Sequence, residues 1–166
     1  DKAGALAIDY TTEQVSNFNA NGDEFSLDGL KWTDLDADSF KALIPLKGTV
    51  KIFVRKKATT TANRSQIHEF TLKARAAMPA VAGIVDYVND KVIAGSLQVK
   101  LEAAGTYANN DIDLSAVGYT GDANINVYAK VPPVDGVTFE SPERIIALTR
   151  PAAPAAVLDL VSGTIK

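Results

Sequence analysis

Hydrophobic and polar residues alternate along the segment from Thr49 to Arg55. One set would face one side of an extended chain and consists of Val50, Ile52 and Val54. The other set would face the opposite side and consists of Lys51, Phe53 and Arg55. A two-residue period is the pattern of a β-strand with one buried face. The segment therefore predicts a strand whose valine and isoleucine side chains enter the core.

Other parts of the chain carry the same signal with turn residues between them. A further strand is predicted from Gln66 to Lys73, with Phe70 and Leu72 inward. No sustained 3.6-residue pattern is present, and helix is expected only briefly, for example from Asp38 to Leu43. The pattern predicts an all-β protein built from antiparallel β-sandwiches.

A hairpin is predicted around Asp28 and Gly29. Phe25 and Leu27 alternate before this pair, and Asp-Gly suits a tight turn. Trp32 follows on the returning strand, where we expect it to cover the core.

One short pattern occurs three times, as Ile8-Asp9-Tyr10, Val85-Asp86-Tyr87 and Leu158-Asp159-Leu160. An aliphatic residue follows each at the same offset, and these residues are Val15, Val92 and Ile165. The spacing indicates an internal repeat of about 75 residues. We expect a first module at residues 1–77, a second at 78–153, and the start of a third repeat or a terminal strand at 154–166.

The second copy aligns with the first mainly at expected core positions. The equivalent pairs are Phe25 with Val99, Leu27 with Leu101, Trp32 with Tyr107, Gly48 with Gly121, Ile52 with Ile125, Val54 with Val127, Ser65 with Ser141, Leu72 with Leu148, and Pro79 with Pro154. Asp28-Gly29 becomes Glu102-Ala103, so that turn must be built differently. The Ala/Pro seams at Ala76–Pro79 and Pro151–Pro154 are expected to be short, stiff linkers between modules that each bury their own core.

The composition excludes several kinds of chemical site and of binding partner. Hydrophobic residues make up 46% of the chain and charged residues 22%, which are ordinary globular values. The net charge of -3 comes from interspersed acids and bases, so no nucleic-acid partner is expected. Cysteine is absent and His68 is the single histidine, which excludes disulfides and sites built on several histidines. Apolar runs are shorter than the roughly 18 residues that span a bilayer, so we expect no membrane insertion.

The order of motifs resembles the immunoglobulin-like repeats of surface-layer and other cell-wall-associated proteins of Gram-positive bacteria. The resemblance rests on Phe25 to Trp32, on Gly48 to Arg55, on Ser65 and on the Ala/Pro seam. It implies an extracellular, non-catalytic structural module at the cell surface, which assembles with neighbouring copies of the same protein, often with calcium at domain contacts. Similar repeats also serve as spacers or carbohydrate-binding modules in secreted polysaccharide-active enzymes, which is the alternative function. Cell-wall glycan is then the expected partner.

The acidic segment Asp34, Asp36 and Asp38 is a weak candidate for a metal site. Its carboxylates occupy alternate positions, and calcium favours clustered oxygen ligands. The full calcium-loop pattern is missing, and a solvated acidic turn explains the same residues. The segment Asn109–Asp113 leaves the same two alternatives open.

The remaining candidates also have simpler explanations. His68 has no nucleophile or orienting partner in the pattern, so we expect a structural role and no catalytic residue. Lys56 and Lys57 could hold anionic wall polymers or protect a sheet edge. Trp32 and Tyr107 could stack on sugars, but their equivalent positions favour core packing.

Overall fold

The computed structural model describes residues 6–17, 22–117 and 125–149 and the two short strands Leu158–Asp159 and Thr164–Ile165. The predictions for Gly121, Pro154 and the second seam lie outside these residues. The prediction of an all-β protein is confirmed, because antiparallel sheets and one short helix make up the regular structure of the described part.

The first repeat consists of a hairpin, a four-stranded sheet and a helix. Its elements are β1 (Ala7–Asp9), β2 (Gln14–Ser16), β3 (Asp23–Ser26), β4 (Thr33–Asp34), α1 (Ala37–Leu43), β5 (Thr49–Lys56) and β6 (His68–Lys73). β1 pairs with β2, and the larger sheet has the order β4-β3-β5-β6. α1 lies between β4 and β5 in the chain, and all pairings are antiparallel.

The second repeat has two three-stranded sheets. Its elements are β7 (Val85–Asp86), β8 (Lys91–Val92), β9 (Gln98–Leu101), β10 (Ile112–Asp113), β11 (Ile125–Lys130) and β12 (Arg144–Leu148). The sheets have the orders β10-β8-β7 and β12-β11-β9. β13 (Leu158–Asp159) and β14 (Thr164–Ile165) form a further hairpin.

The alternation predicted for β5 is confirmed. Ile52 and Val54 are fully buried and Val50 packs against the same core. The predicted helix is also present, and it begins one residue earlier than expected, at Ala37. Asp36 caps it, since its carboxylate accepts a hydrogen bond from the Ser39 amide at 2.7 Å.

The hairpin predicted around Asp28 is present, but its turn is wider than the two residues expected. β3 and β4 pair through Phe25 and Thr33. The Asp28 carboxylate accepts hydrogen bonds from the amides of Leu30 and Lys31, both at 2.8 Å. A side-chain-bonded loop therefore replaces the two-residue turn.

The threefold sequence pattern corresponds to three hairpins. The aliphatic residues at the recurring offset are cross-strand partners, namely Ile8 with Val15, Val85 with Val92 and Leu158 with Ile165. Asp9 accepts hydrogen bonds from the two amides at positions +2 and +3, and Asp86 does the same. The recurring aspartate therefore closes the turn by bonding its own main chain.

Hydrogen bonding confirms the equivalence of Ser65 and Ser141. The Ser65 hydroxyl accepts from the Lys56 amide at 2.9 Å and donates to the carbonyl of the following residue at 2.8 Å. The Ser141 hydroxyl accepts from the Val131 amide at 2.8 Å and donates to the following carbonyl at 2.9 Å. Both serines tie the end of one strand to the chain that leads into the next.

The predicted alignment of β5 with β11 is wrong by two residues. Phe25 pairs with Val54, whereas its equivalent Val99 pairs with Ala129. Ile52 therefore corresponds to Val127 and Val54 to Ala129, and these four side chains are fully buried. The error arose because alanine gives a weak hydrophobic signal, although a central position in a sheet can bury it completely.

The described residues form two hydrophobic clusters, and the first one includes a residue from the second repeat. The first cluster consists of Tyr10, Val15, Leu35, Phe40, Ile44, Ile52, Val54, Leu72 and Phe139. Phe139 is fully buried, stacks on Tyr10 with 4.4 Å between ring centroids, and meets the edge of Phe40 at 6.5 Å. The expectation that each module buries only its own core is therefore wrong for the first module.

The first seam is also more than a linker, because it takes part in this contact. The Ala76 amide donates to the Phe139 carbonyl at 2.9 Å, and the Phe139 amide donates to the Ala74 carbonyl at 3.3 Å. Pro79 is buried, and its carbonyl accepts from Arg144 Nε at 3.0 Å. These bonds hold the seam against the second repeat.

Arg75 completes the junction. Its guanidinium binds the Glu13 carboxylate through both terminal nitrogens, with 2.9 Å from Nη2 to Oε2. Nη1 also donates to the Glu140 carbonyl at 3.3 Å. The bidentate geometry fixes direction as well as distance. Glu13, Arg75 and the Phe139–Glu140 segment therefore meet at one point between the repeats.

We predict that Phe139→Ala destabilises the first repeat although residue 139 belongs to the second. The variant leaves a cavity beside Tyr10 and Phe40, and a buried Phe→Ala change typically costs about 3–5 kcal/mol. Urea unfolding followed by Trp32 fluorescence measures the effect, because Trp32 lies in the first repeat. Val137→Ala is the matched control, since Val137 is in the same loop and 59% exposed. Equal midpoints for both variants would contradict the role of Phe139.

Candidate binding surface

The face of the first sheet that points away from the core carries an aromatic ring covered by a cation. Arg55 extends from β5 and its guanidinium carbon lies 3.6 Å from the centroid of the Trp32 ring. Arg55 Nε also donates to Glu24 Oε1 at 2.6 Å. A guanidinium over an indole face is favourable because the ring quadrupole attracts the positive charge. Trp32 is half-buried beneath it.

The second repeat has a related arrangement with two lysines. Lys130 Nζ lies 4.1 Å from the centroid of the Tyr107 ring, and Lys100 Nζ lies 4.7 Å from the same centroid. Lys100 also lies 5.0 Å from the ring of Tyr128. The Tyr107 hydroxyl donates to Glu143 Oε1 at 2.6 Å. We call each arrangement an aromatic-cation cluster, the first formed by Trp32 and Arg55 and the second by Tyr107 and these lysines.

The strand register shows that the two clusters are equivalent. Trp32 immediately precedes Thr33, the partner of Phe25, and Tyr107 immediately precedes Ala108, the partner of Val99. The predicted equivalence of Trp32 and Tyr107 is therefore confirmed. The expected core packing is wrong for both, because each ring is half-buried, belongs to neither hydrophobic cluster and has a cation over its face.

The environment of Tyr107 disfavours loss of its proton. Burial and the hydrogen bond to Glu143 both raise the pKa of the Tyr107 hydroxyl above its ordinary value of 10.0, and the negative charge of Glu143 acts in the same direction. Tyr107 is therefore a neutral hydrogen-bond donor at physiological pH. This state suits a structural contact between the loop that carries Tyr107 and the chain before β12.

The three metal candidates have separate roles in the structure. Asp34 pairs with Lys57, with 2.6 Å between carboxylate and ammonium, while Asp36 caps α1 and Asp38 lies exposed in its first turn. In the second acidic segment, Asp111 accepts from the Ala94 amide and Asp113 from the Ser115 amide, both at 2.9 Å. Across the part of the chain that the structure describes, no three acidic or histidine side chains are grouped to hold a metal ion.

The remaining sequence candidates are dispersed. His68 is exposed on the edge strand β6 and lies opposite Val54 in the ladder. Lys57 is bound to Asp34, and the Lys56 amide is bound to Ser65. His68 does not belong to a group of three or more acidic or histidine side chains within the residues described.

Sequence reasoning missed Phe139, the Arg75–Glu13 pair and the cation over each ring. The sequence did contain one signal for Phe139. The loop before β12 has an aromatic residue, whereas the equivalent loop of the first repeat, residues 57–64, has none. The cations could have been predicted from the strand pattern, because each one is next in sequence to a buried strand residue and therefore points outward. The Arg75–Glu13 contact joins residues far apart in the chain and left no local signal.

No family model, curated protein or solved structure matches this chain. Among the described residues, no helix has the length and apolar character to cross a membrane.

We predict that Arg55 and Trp32 stabilise the fold jointly. A double-mutant cycle with Arg55→Met, Trp32→Leu and the double variant should give a coupling free energy of about 1 kcal/mol, the scale of a partly desolvated cation-π contact. Thermal unfolding followed by circular dichroism provides the measurement. Lys51→Met with Trp32→Leu is the control pair, because Lys51 binds Glu69 instead. A coupling energy of zero for Arg55 and Trp32 would reject the contact.

We also predict that Tyr107 makes stability depend on pH in the alkaline range. Its contribution is fully present below pH 10.0, the ordinary tyrosine pKa, and is lost as pH rises towards the higher pKa of the folded state. The unfolded chain loses this proton first, so the free energy of unfolding falls. Tyr107→Phe should flatten this fall. Urea unfolding at pH values of about 9 to 11 compares this variant with the unaltered protein, and identical slopes would contradict the assignment.

Proposed function

We propose that this chain is a structural, non-catalytic part of an extracellular bacterial surface-layer or cell-wall protein. Its two repeats act as immunoglobulin-like β-sandwich modules that serve as a rigid spacer and assemble with neighbouring copies. The observation that carries the proposal is the junction at Phe139, where the second repeat enters the core of the first.

The chemistry of the junction supports a rigid spacer. A covalent linker alone would leave two small domains free to reorient, and contacts between domains usually allow such motion unless they are apolar and extensive. Here Phe139 is fully buried, backbone hydrogen bonds join it to Ala74 and Ala76, and Arg75 binds Glu13. Reorientation would expose an aromatic ring and separate a largely buried ion pair. Changing the angle between the repeats therefore costs free energy, whereas two domains joined only by a flexible linker could reorient without this cost.

The outer faces of the repeats are evidence for the second part of the proposal, which is assembly with other copies of the protein. The two aromatic-cation clusters occupy equivalent positions but carry different charged side chains. Arg55 pairs with Glu24 in the first, whereas Lys130 pairs with Glu140 and Lys100 with Glu143 in the second. Such differences let one scaffold present distinct surfaces, whereas the buried positions remain alike. Charge complementarity contributes mainly to specificity and orientation when surfaces associate.

A second candidate function is glycan binding by the same faces. The equivalent placement of Trp32 and Tyr107 on outward surfaces favours it, since aromatic rings stack on sugars. The cations oppose it, because Arg55 occupies one face of Trp32 at 3.6 Å and a sugar would have to displace it or use the other face.

We predict that the two repeats tumble as one body. Nitrogen-15 relaxation should give one rotational correlation time for the amides of β5 and β11, and Phe139→Ala with Arg75→Gln should separate the two values. Ile145→Ser is the control, since Ile145 is 56% exposed and lies outside the junction. Two distinct correlation times in the unaltered protein would reject the spacer.

Saturable binding on a glycan array, abolished by Trp32→Ala, would favour the second function.

A further inference from the structure

The hairpin that receives Phe139 in the first repeat has an open counterpart in the second. Tyr10 follows β1, and Tyr87 follows β7, at the same place after the turn-closing aspartate. Tyr10 is 7% exposed because Phe139 covers it, whereas Tyr87 is 70% exposed. The same position is therefore covered in one repeat and open in the other.

The surroundings of Tyr87 match those of Tyr10 in further respects. Glu13 has φ 55° and binds Arg75 at the junction, and its counterpart Asp90 has φ 50° and is exposed. The two hairpins therefore place an acid at the same point of the same turn. Val88, next to Tyr87, is 92% exposed, so the tip of the second hairpin presents two adjacent large apolar side chains to solvent. Adjacent exposed apolar side chains of this kind often mark a contact surface.

The loop that covers Tyr10 identifies the kind of element that would cover Tyr87. Phe139 lies between Val131 and Ser141, in the loop that joins β11 to β12. The docking therefore runs in one direction, from the loop of a following repeat to the hairpin of the preceding one. The equivalent loop of the first repeat, residues 57–64, has no aromatic residue to dock in this way.

We infer that Tyr87, Val88 and Asp90 form a docking surface for a following repeat of the same kind, which inserts an aromatic side chain from its β11–β12 loop and pairs a seam arginine with Asp90. The occupant is a third module in tandem, and the contact continues the interface already formed between the first two. This inference rests on the proposed spacer role and extends it, because a chain of such contacts would set one repeated angle along an array.

An extended protein tests the inference directly. Residues 73–166 are fused after Leu148, so that Lys73 follows Leu148 as it follows its equivalent Leu72, and the appended copy supplies its own Arg75 and Phe139. The appended copy carries Tyr87→Phe, which distinguishes its peptides by mass. Hydroxyl-radical labelling with mass spectrometry then measures the exposure of the original Tyr87, with Tyr10 as the internal reference for a covered ring.

The expected result is a fall in Tyr87 labelling of about tenfold, which is the ratio of the 70% and 7% exposed fractions of Tyr87 and Tyr10. Phe139→Ala in the appended copy should restore the labelling. This control should not unfold the appended copy, because the Phe139 side chain packs in the core of the preceding repeat and not in its own. Unchanged Tyr87 labelling in the extended protein, with native hydrogen-exchange protection of the appended β11, would overturn the inference.

A second measurement does not depend on folding of the appended copy. A peptide of residues 131–141 is titrated into the isotopically labelled 166-residue protein, and the Tyr87 and Val88 signals are followed by nuclear magnetic resonance. Shifts caused by this peptide but not by its Phe139→Ala version support the docking surface. Absence of shifts together with unchanged labelling overturns it. Protection of Tyr87 by self-association of the 166-residue protein would also overturn it, since the occupant would then be a second copy. Any of these failures would leave the single correlation time of the proposed spacer intact.

Discussion

The first repeat depends on an aromatic side chain that it does not itself contain. Phe139 fills the space beside Tyr10 and Phe40, and it is as fully buried as the central strand residues Ile52 and Val54. A domain of about 75 residues buries a comparatively small fraction of its surface and has a small net stability, so the loss of one buried aromatic ring, about 3–5 kcal/mol, is large by comparison. Folding of the first core and orientation of the second repeat are therefore coupled through one contact.

The polar part of the junction has a different role. Arg75 and Glu13 are mostly buried, and withdrawing two charges from water offsets much of their attraction. Such a pair adds less stability than its geometry suggests, but its bidentate hydrogen bonds require one orientation. Phe139 thus supplies the stabilisation, and Arg75 selects the arrangement in which Phe139 enters. The left-handed backbone at Glu13 places the carboxylate at the end of the hairpin, where the seam passes.

The parts of the fold that the sequence predicted are those encoded by neighbours in the chain. Alternation identified β5 because its pleat separates buried from exposed residues every second position. The recurring aspartates identified the repeat, but the hairpins that they close by bonding local amides were not predicted. The contact of Phe139 with Tyr10 spans most of the chain and follows only from the relative placement of two repeats. Trp32 was misplaced for a related reason: a large aromatic residue suggests burial, but the covering atoms belong to Arg55, whose position over the ring is set by the sheet.

Comparison of the two repeats separates residues that maintain the fold from residues that respond to surroundings. The strand positions, the turn-closing aspartates and the serines that tie strand ends are alike in bonding, even where Val54 has become Ala129. Differences lie in the loop before β12, in the exposure of Tyr10 and Tyr87 at the hairpin turns, and in the segment before the central strand, which holds α1 in the first repeat and β10 in the second. A buried position tolerates few changes because its neighbours are close-packed, whereas a loop changes freely unless it has a partner. The aromatic residue in the second loop, absent from the first, therefore points to a loop shaped by the repeat on which it docks.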